Sequence, residues 1–134
     1  MKLHHIGIAS NNIQEAIKRH KTLFGLRQVT NIVEDPIHKV SAVLLSDPRG
    51  VFVEIIAPLT DDSPISNILK RGISLYHICY LVEDIDETLK KIRRKAVIIS
   101  KPAPAKLHGG RRIAFVYTPD NYVVEFLEEK IREA

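Results

Sequence analysis

Tryptophan is absent from this 134-residue chain, and Phe and Tyr bring the aromatic share to only 6%. Any core must therefore be packed from aliphatic side chains, and the abundant Val, Ile and Leu suit strands with one buried face. Cysteine occurs once, at Cys79, so no intramolecular disulfide can form and a reducing compartment fits. Long apolar runs are also missing. The opening Met1-Lys2-Leu3-His4-His5-Ile6-Gly7-Ile8 lacks the apolar stretch of a signal peptide, and no segment approaches a membrane span. These absences predict a cytoplasmic protein without a membrane partner.

An acidic excess is lacking as well: the net charge is +4, a mild basic balance. The densest cluster, Lys90-Lys91-Ile92-Arg93-Arg94-Lys95, falls at the end of an expected helix, where cations complement the helix dipole. It has no interleaved aromatics, so nucleic acid is not an expected partner, whereas an anionic small molecule is. What the chain does have is a 45% hydrophobic and 27% charged composition, the balance of one globular domain spanning residues 1–134.

An internal repeat organises it. Leu3-His4-His5-Ile6 and Leu75-Tyr76-His77-Ile78 share Leu-x-His-Ile at an offset of 72 residues. At the same offset Asn12 maps to Asp84, Ile13 to Ile85, Glu15 to Glu87 and Ile17 to Leu89. Asn12 and Asp84 read as helix N-caps, each with a glutamate three residues on. Helices are predicted over about 12–24 and 84–95, the first with Ile13, Ala16, Ile17, His20 and Phe24 on its inner face and Gly25 as its stop. Strand patterns follow each helix: 26–33, 40–46 and 51–57 in the first half; 96–99, 112–117 and 122–127 in the second. The fold class is thus α+β: two tandem βαβββ modules (1–57 and 75–130). The joining segment 58–74 carries Ser63-Pro64, which predicts a short helix closed by Gly72.

Four residues stand out against this frame. Glu54 and Glu125 are carboxylates inside apolar strands, 71 residues apart, and His5 and His77 are imidazoles in equivalent apolar strands. A buried carboxylate must be paired, protonated or bound to a metal. Strand alternation places Glu125 on one face with Val123 and Leu127, and His77 with Leu75, Cys79 and Leu81. If those faces line a concave sheet, the four side chains converge as ligands of one divalent ion: Co, Ni, Zn, Mn or Fe. An octahedral ion would keep two positions for substrate or water.

At these residues the chain resembles the vicinal oxygen chelate superfamily, which includes glyoxalase I, the methylmalonyl-CoA epimerases and the extradiol dioxygenases. The resemblance is to the epimerases above all. It covers nearly the whole chain and rests on His4-His5-Ile6-Gly7-Ile8-Ala9, Glu54-Ile55-Ile56-Ala57-Pro58-Leu59, Asp62-Ser63-Pro64-Ile65-Ser66, Tyr76-His77-Ile78-Cys79 and His108-Gly109-Gly110-Arg111-Arg112-Ile113-Ala114-Phe115. It implies that the two modules form one curved mixed sheet around a metal site, with His5, Glu54, His77 and Glu125 as ligands, and a homodimer as the usual assembly. One departure is plain. Where the epimerases carry Glu-x-Gly-Val, with the glutamate implied as a base, this chain has Ile37 within Asp35-Pro36-Ile37-His38-Lys39-Val40.

The expected reaction is removal of a proton alpha to a thioester carbonyl, with Glu125 as the first candidate base and Glu54 as the symmetric second. The substrate would be an acyl-CoA or a glutathione adduct. The alternatives are a lactoylglutathione lyase, which uses the same ligand pattern, and a non-catalytic binding member of the superfamily. His38 could replace the missing glutamate, although a strand-edge histidine is the commoner reading. The basic loop 101–112, expected to be flexible at its centre, could meet a coenzyme A phosphate or glutathione carboxylates.

Overall fold

The computed structural model describes residues 1–131. Its first unit runs β1 (Lys2–Ala9), α1 (Ile13–Phe24), β2 (Arg27–Gln28), β3 (Val33–Asp35), β4 (Val40–Ser46) and β5 (Phe52–Pro58). A linker helix, α2 (Pro64–Lys70), leads into the second unit. That unit repeats the order as β6 (Leu75–Val82), α3 (Ile85–Ile92), β7 (Val97–Ile98), β8 (Ala103–Pro104), β9 (Arg112–Tyr117) and β10 (Val123–Glu128). All ten strands form one open, curved α+β sheet in the order β2-β4-β5-β1-β6-β10-β9-β7, with β3 also on β4 and β8 on β9.

The two units are built alike. Each first strand pairs in parallel with its unit's last strand, and that strand pairs antiparallel with the one before it. They join within one chain through the antiparallel pairing of β1 with β6. The helix starts are set as the sequence predicts: Asn12 Oδ1 accepts from the Glu15 amide, and Asp84 Oδ1 from the Glu87 amide. Ser63 caps α2, with Pro64 at its first position. Gly25 closes α1 in the left-handed conformation at φ 68°.

Alternation along the strands separates two faces. Ile55, Val43 and Leu45 pack against Ala16 and Ile17 of α1, and Val124, Phe126, Ala114 and Val116 pack against Ile85 and Leu89 of α3. Each fully buried Ile, Leu or Phe contributes about 1.5–3 kcal/mol, so these two layers fix each helix to its half of the sheet. The opposite, concave face carries the candidate ligands His5, Glu54, His77 and Glu125.

Three expectations need correction. The predicted strand 26–33 breaks after Gln28. Thr30 Oγ1 takes the Leu44 amide proton, while the Val29 and Thr30 amides both turn to the Leu44 carbonyl. The second unit does the same with Ser100 Oγ at the Phe115 amide. A hydroxyl near the backbone competes for ladder bonds, and that interrupts each strand. The third helix ends at Ile92, not at 95, because the Lys95 and Ala96 amides both fold back onto the Ile92 carbonyl. Phe24 is 65% exposed, so the buried face of α1 is Ala16 and Ile17. No described helix is long and apolar enough to cross a membrane.

Candidate metal centre and its cavity

The register of the four central strands places the ligand candidates in two rows. One row runs Glu54 (β5), Gly7 (β1), His77 (β6), Val123 (β10). The other runs Phe52, His5, Cys79, Glu125 on the same strands. Each row thus holds one imidazole and one carboxylate with a small residue between them, Gly7 in the first and Cys79 in the second. Gly7 is required there: a β carbon at that position would overlap the His77 ring. Glycine inside a strand marks such a close approach.

The four side chains converge. His5 Nε2 lies 3.1 Å from His77 Nε2 and 3.0 Å from Glu125 Oε1, and His77 Nε2 lies 2.9 Å from the same oxygen. Glu54 Oε1 stands 3.3 and 3.2 Å from the two nitrogens, near enough for attraction between charges, but it is buried without an aligned hydrogen bond. All four residues are buried.

Protons alone satisfy this cluster poorly. One imidazole nitrogen carries at most one hydrogen, yet each Nε2 faces three other donor atoms. Bonds of about 2.1 Å to a common cation, set at right angles, would put neighbouring donors about 3.0 Å apart, which is the spacing found. Two imidazoles and two carboxylates also form a donor set that first-row divalent ions accept. The residues fit a divalent metal.

The electrostatics describe a site that attracts positive charge. Burial opposes charge on both imidazoles, but Glu125 and Glu54 outweigh it, so the His5 and His77 pKa values are raised. Burial would raise the two carboxylates, yet the imidazoles beside them hold Glu54 and Glu125 below the usual range. The Cys79 thiol is pushed up to about 12 by burial and then by Glu125, so it stays protonated, a small spacer.

The centre opens into a cavity of about 360 Å³. Ile56, Ala42, Ile65, Ile113, Phe115 and Val123 make most of its wall apolar. Tyr76 also lines it, its ring centroid 4.4 Å from that of His77, and its phenol is raised by burial and by the two glutamates, so it stays protonated.

Several neighbours of the cluster were not singled out by sequence reasoning. His108 is buried in a 3₁₀ turn (Lys106–His108), where a flexible loop was expected. Its ring stacks on His5 with centroids 5.6 Å apart, and its Nε2 has no hydrogen-bond partner among the described residues, 4.0 Å from Glu125 Oε2. Burial, with His5 and Arg111 nearby, lowers its pKa despite the two glutamates, so the ring is neutral. The sequence marked it only as the start of a segment that carries the resemblance, and not as a buried neighbour of the four. His4 Nδ1 sits 2.7 Å from His5 Nδ1, and burial lowers His4 to about 4, so a neutral His4 accepts the His5 proton and orients that ring. Gly7 had a signal, as a glycine in an apolar strand. Of the basic loop, Arg112 is committed elsewhere. It makes a two-pronged contact with Glu128 at 2.6 and 3.0 Å and another with Asp86 at 2.9 Å.

Residues 4–115 match the sequence model of the Glyoxalase/Bleomycin resistance protein/Dioxygenase superfamily. The mitochondrial methylmalonyl-CoA epimerase of Dictyostelium discoideum is 34% identical over 132 residues, covering 96% of this chain and 78% of that protein. The lactoylglutathione lyase of Escherichia coli O157:H7 is 26% identical over 137 residues, covering 97% and 94% of the two chains. Among solved structures, a methylmalonyl-CoA epimerase of Streptomyces coelicolor in complex with 2-nitronate-propionyl-CoA superposes with a TM-score of 0.79 at 21% identity, covering 96% of each chain. At that identity the likeness is one of fold.

Proposed function

Because the chain belongs to the glyoxalase/bleomycin resistance protein/dioxygenase superfamily, we propose that it is a metal-dependent epimerase acting at the carbon alpha to a thioester carbonyl. An acyl-CoA such as methylmalonyl-CoA is the substrate in this reading, and Co, Ni, Zn, Mn or Fe the metal. The observation that carries it is the convergence of two imidazoles and two carboxylates on one buried point beside a largely apolar cavity. The similarity to the Dictyostelium epimerase adds the substrate class.

His5, Glu54, His77 and Glu125 would hold the ion. When bound, it supplies Lewis acidity that stabilises negative charge on the substrate oxygen by several kcal/mol. Glu125 accepts the proton from the alpha carbon, because its Oε2 is turned toward His108 on the cavity wall. Tyr76 and His108, both uncharged donors lining the cavity, orient the substrate's oxygens. Ile56, Phe115 and Ile113 exclude water around the carbanion, which keeps it from being protonated at random.

Lactoylglutathione lyase activity is the second reading, favoured by the similarity to the Escherichia coli enzyme and compatible with the same ligand set. Proton–deuterium exchange at C2 of methylmalonyl-CoA, set beside turnover of the methylglyoxal–glutathione adduct, separates the two. Exchange without adduct turnover is expected. The reverse outcome establishes the lyase. Purified protein with no affinity for any of the five ions would reduce the chain to a binding member of the superfamily.

A further inference from the structure

Asp35, at the end of β3, is 5% exposed and receives three N–H groups. These come from the His38 amide at 3.1 Å, the Lys106 amide at 3.1 Å and His38 Nδ1 at 2.9 Å. The Lys106 bond ties the edge turn of the first unit to the 3₁₀ turn of the second. Burial by itself would raise the Asp35 pKa, but the hydrogen bonds from His38 and Lys106 lower it, so Asp35 is an anion. A buried anion on Nδ1 fixes the imidazole tautomer and the orientation of the ring. Nε2 of His38 is left over. It has no hydrogen bond to any described residue, and the side chain, 17% exposed, lines the cavity and can trade protons with solvent.

Glu54 and Glu125 reach this cavity from the central strands β5 and β10, while His38 reaches it from the turn at the sheet's edge. A molecule filling the cavity meets side chains from both places. Epimerisation needs that arrangement, because the proton must leave one face of the carbon and return to the other. His108 does not supply it, standing 4.0 Å from Glu125 Oε2. Lys39 is bound to Asp62 at the rim.

We infer that His38, oriented by Asp35, is the proton-transfer group for the substrate face turned away from Glu125. The inference rests on the epimerase reading above. In one direction the Glu125 carboxylate takes the C2 proton, and the C–H electron pair passes into the enolate. The His38 imidazolium then gives its Nε2 proton to C2 from the opposite face, forming the new C–H bond and leaving neutral imidazole. In the reverse direction the roles exchange. Between turnovers both groups re-equilibrate protons with water, and nothing is oxidised or reduced.

The test incubates each stereoisomer of methylmalonyl-CoA separately in D2O with metal-loaded protein. The parent protein is expected to exchange C2–H in both isomers and to interconvert them. His38→Gln should interconvert them on the order of 100-fold more slowly or worse, yet still exchange one isomer with retention of configuration. Asp35→Asn should give the same one-sided pattern more weakly, which a merely structural role for Asp35 would not produce. Metal content of both variants should equal the parent's. Interconversion by His38→Gln at the parent's rate overturns the inference, and so does equal loss of exchange from both isomers. A parent that exchanges neither isomer refutes the epimerase reading instead, so the two failures are distinguishable.

Discussion

Gly7 of β1 faces His77 of β6 across the seam between the two units, and the imidazole occupies the space that any side chain at Gly7 would need. The symmetric position across that seam is Cys79, opposite His5 and fully buried. The two small residues let an imidazole and a carboxylate meet above each row. Gly7→Ala is therefore expected to displace His77 and weaken metal affinity by on the order of 10–100-fold, read by titration with Co or Ni. Cys79→Ala should bind metal normally, whereas Cys79→Leu should not. Normal binding by Gly7→Ala would mean that His77 can move without cost.

The cluster of four candidate ligands was legible in the sequence because it repeats. An ionisable residue in one apolar strand says little, but His5 with His77 and Glu54 with Glu125 recur at nearly one offset, and the structure brings all four within reach of one ion. Regular strands and capped helices were legible too, since periodicity and cap chemistry act over a few residues. Other features depend on contacts between distant segments. His108 is buried because the turn that carries it meets Asp35, 71 residues away from its Lys106 amide. The breaks after Gln28 and Ile98 come from Thr30 and Ser100, whose hydroxyls could as well have faced solvent. Phe24 shows the opposite failure: it holds the right helical phase, but as the last residue of α1 it is left exposed.

Metal and pH should act together on stability. The raised pKa values of His5 and His77 contribute stability that is complete below their ordinary 6.5 and is lost as the pH rises through the folded values. The lowered values of Glu54 and Glu125 contribute stability that is complete above their ordinary 4.5 and is lost as the pH falls through the folded values. Metal-free protein should thus melt at its highest temperature between these limits and weaken toward pH 9. Metal binding needs neutral imidazoles and displaces their protons, so the rise in Tm on adding Co or Ni should grow from pH 6 to pH 8. At a hundredfold excess over Kd the gain is about 2.7 kcal/mol. Calorimetry with and without chelator checks both trends, and a metal effect that shrinks with pH would contradict them.

Arg112 offers a contrast, as a charged residue of the basic loop whose work is structural. Its bonds to Glu128, and then to Asp86, raise its pKa and tie β9 to β10 and α3. Glu128 is 2% exposed, so removing the guanidinium takes a charged partner away from a buried carboxylate. Arg112→Ala should cost about 2–3 kcal/mol, less than a fully buried pair because Arg112 keeps some contact with water. Urea denaturation of metal-free protein measures this. Metal affinity should stay within about twofold, since sites without shared partners act independently. A large loss of affinity would place Arg112 in the binding machinery after all.

The two glutamates differ in how they are held, and that difference decides the base. Glu125 Oε1 lies 3.0 and 2.9 Å from the two imidazole nitrogens, with a hydrogen bond to His5 and Oε2 left near His108, while Glu54 Oε1 makes no aligned hydrogen bond. If Glu125 removes the proton, Glu125→Gln should lower kcat for C2 exchange by on the order of 100-fold or more, because an amide cannot accept it. Its carbonyl oxygen can still serve as a neutral donor, so the metal should remain bound with reduced affinity. Glu54→Gln should lose metal affinity to a similar degree but retain a measurable exchange rate once saturated with the ion. Comparing kcat at saturating metal therefore separates a base from a ligand, which affinity alone would not do. Should Glu54→Gln instead lose exchange while Glu125→Gln keeps it, the base belongs to the first unit, and the substrate lies over the opposite row of the sheet.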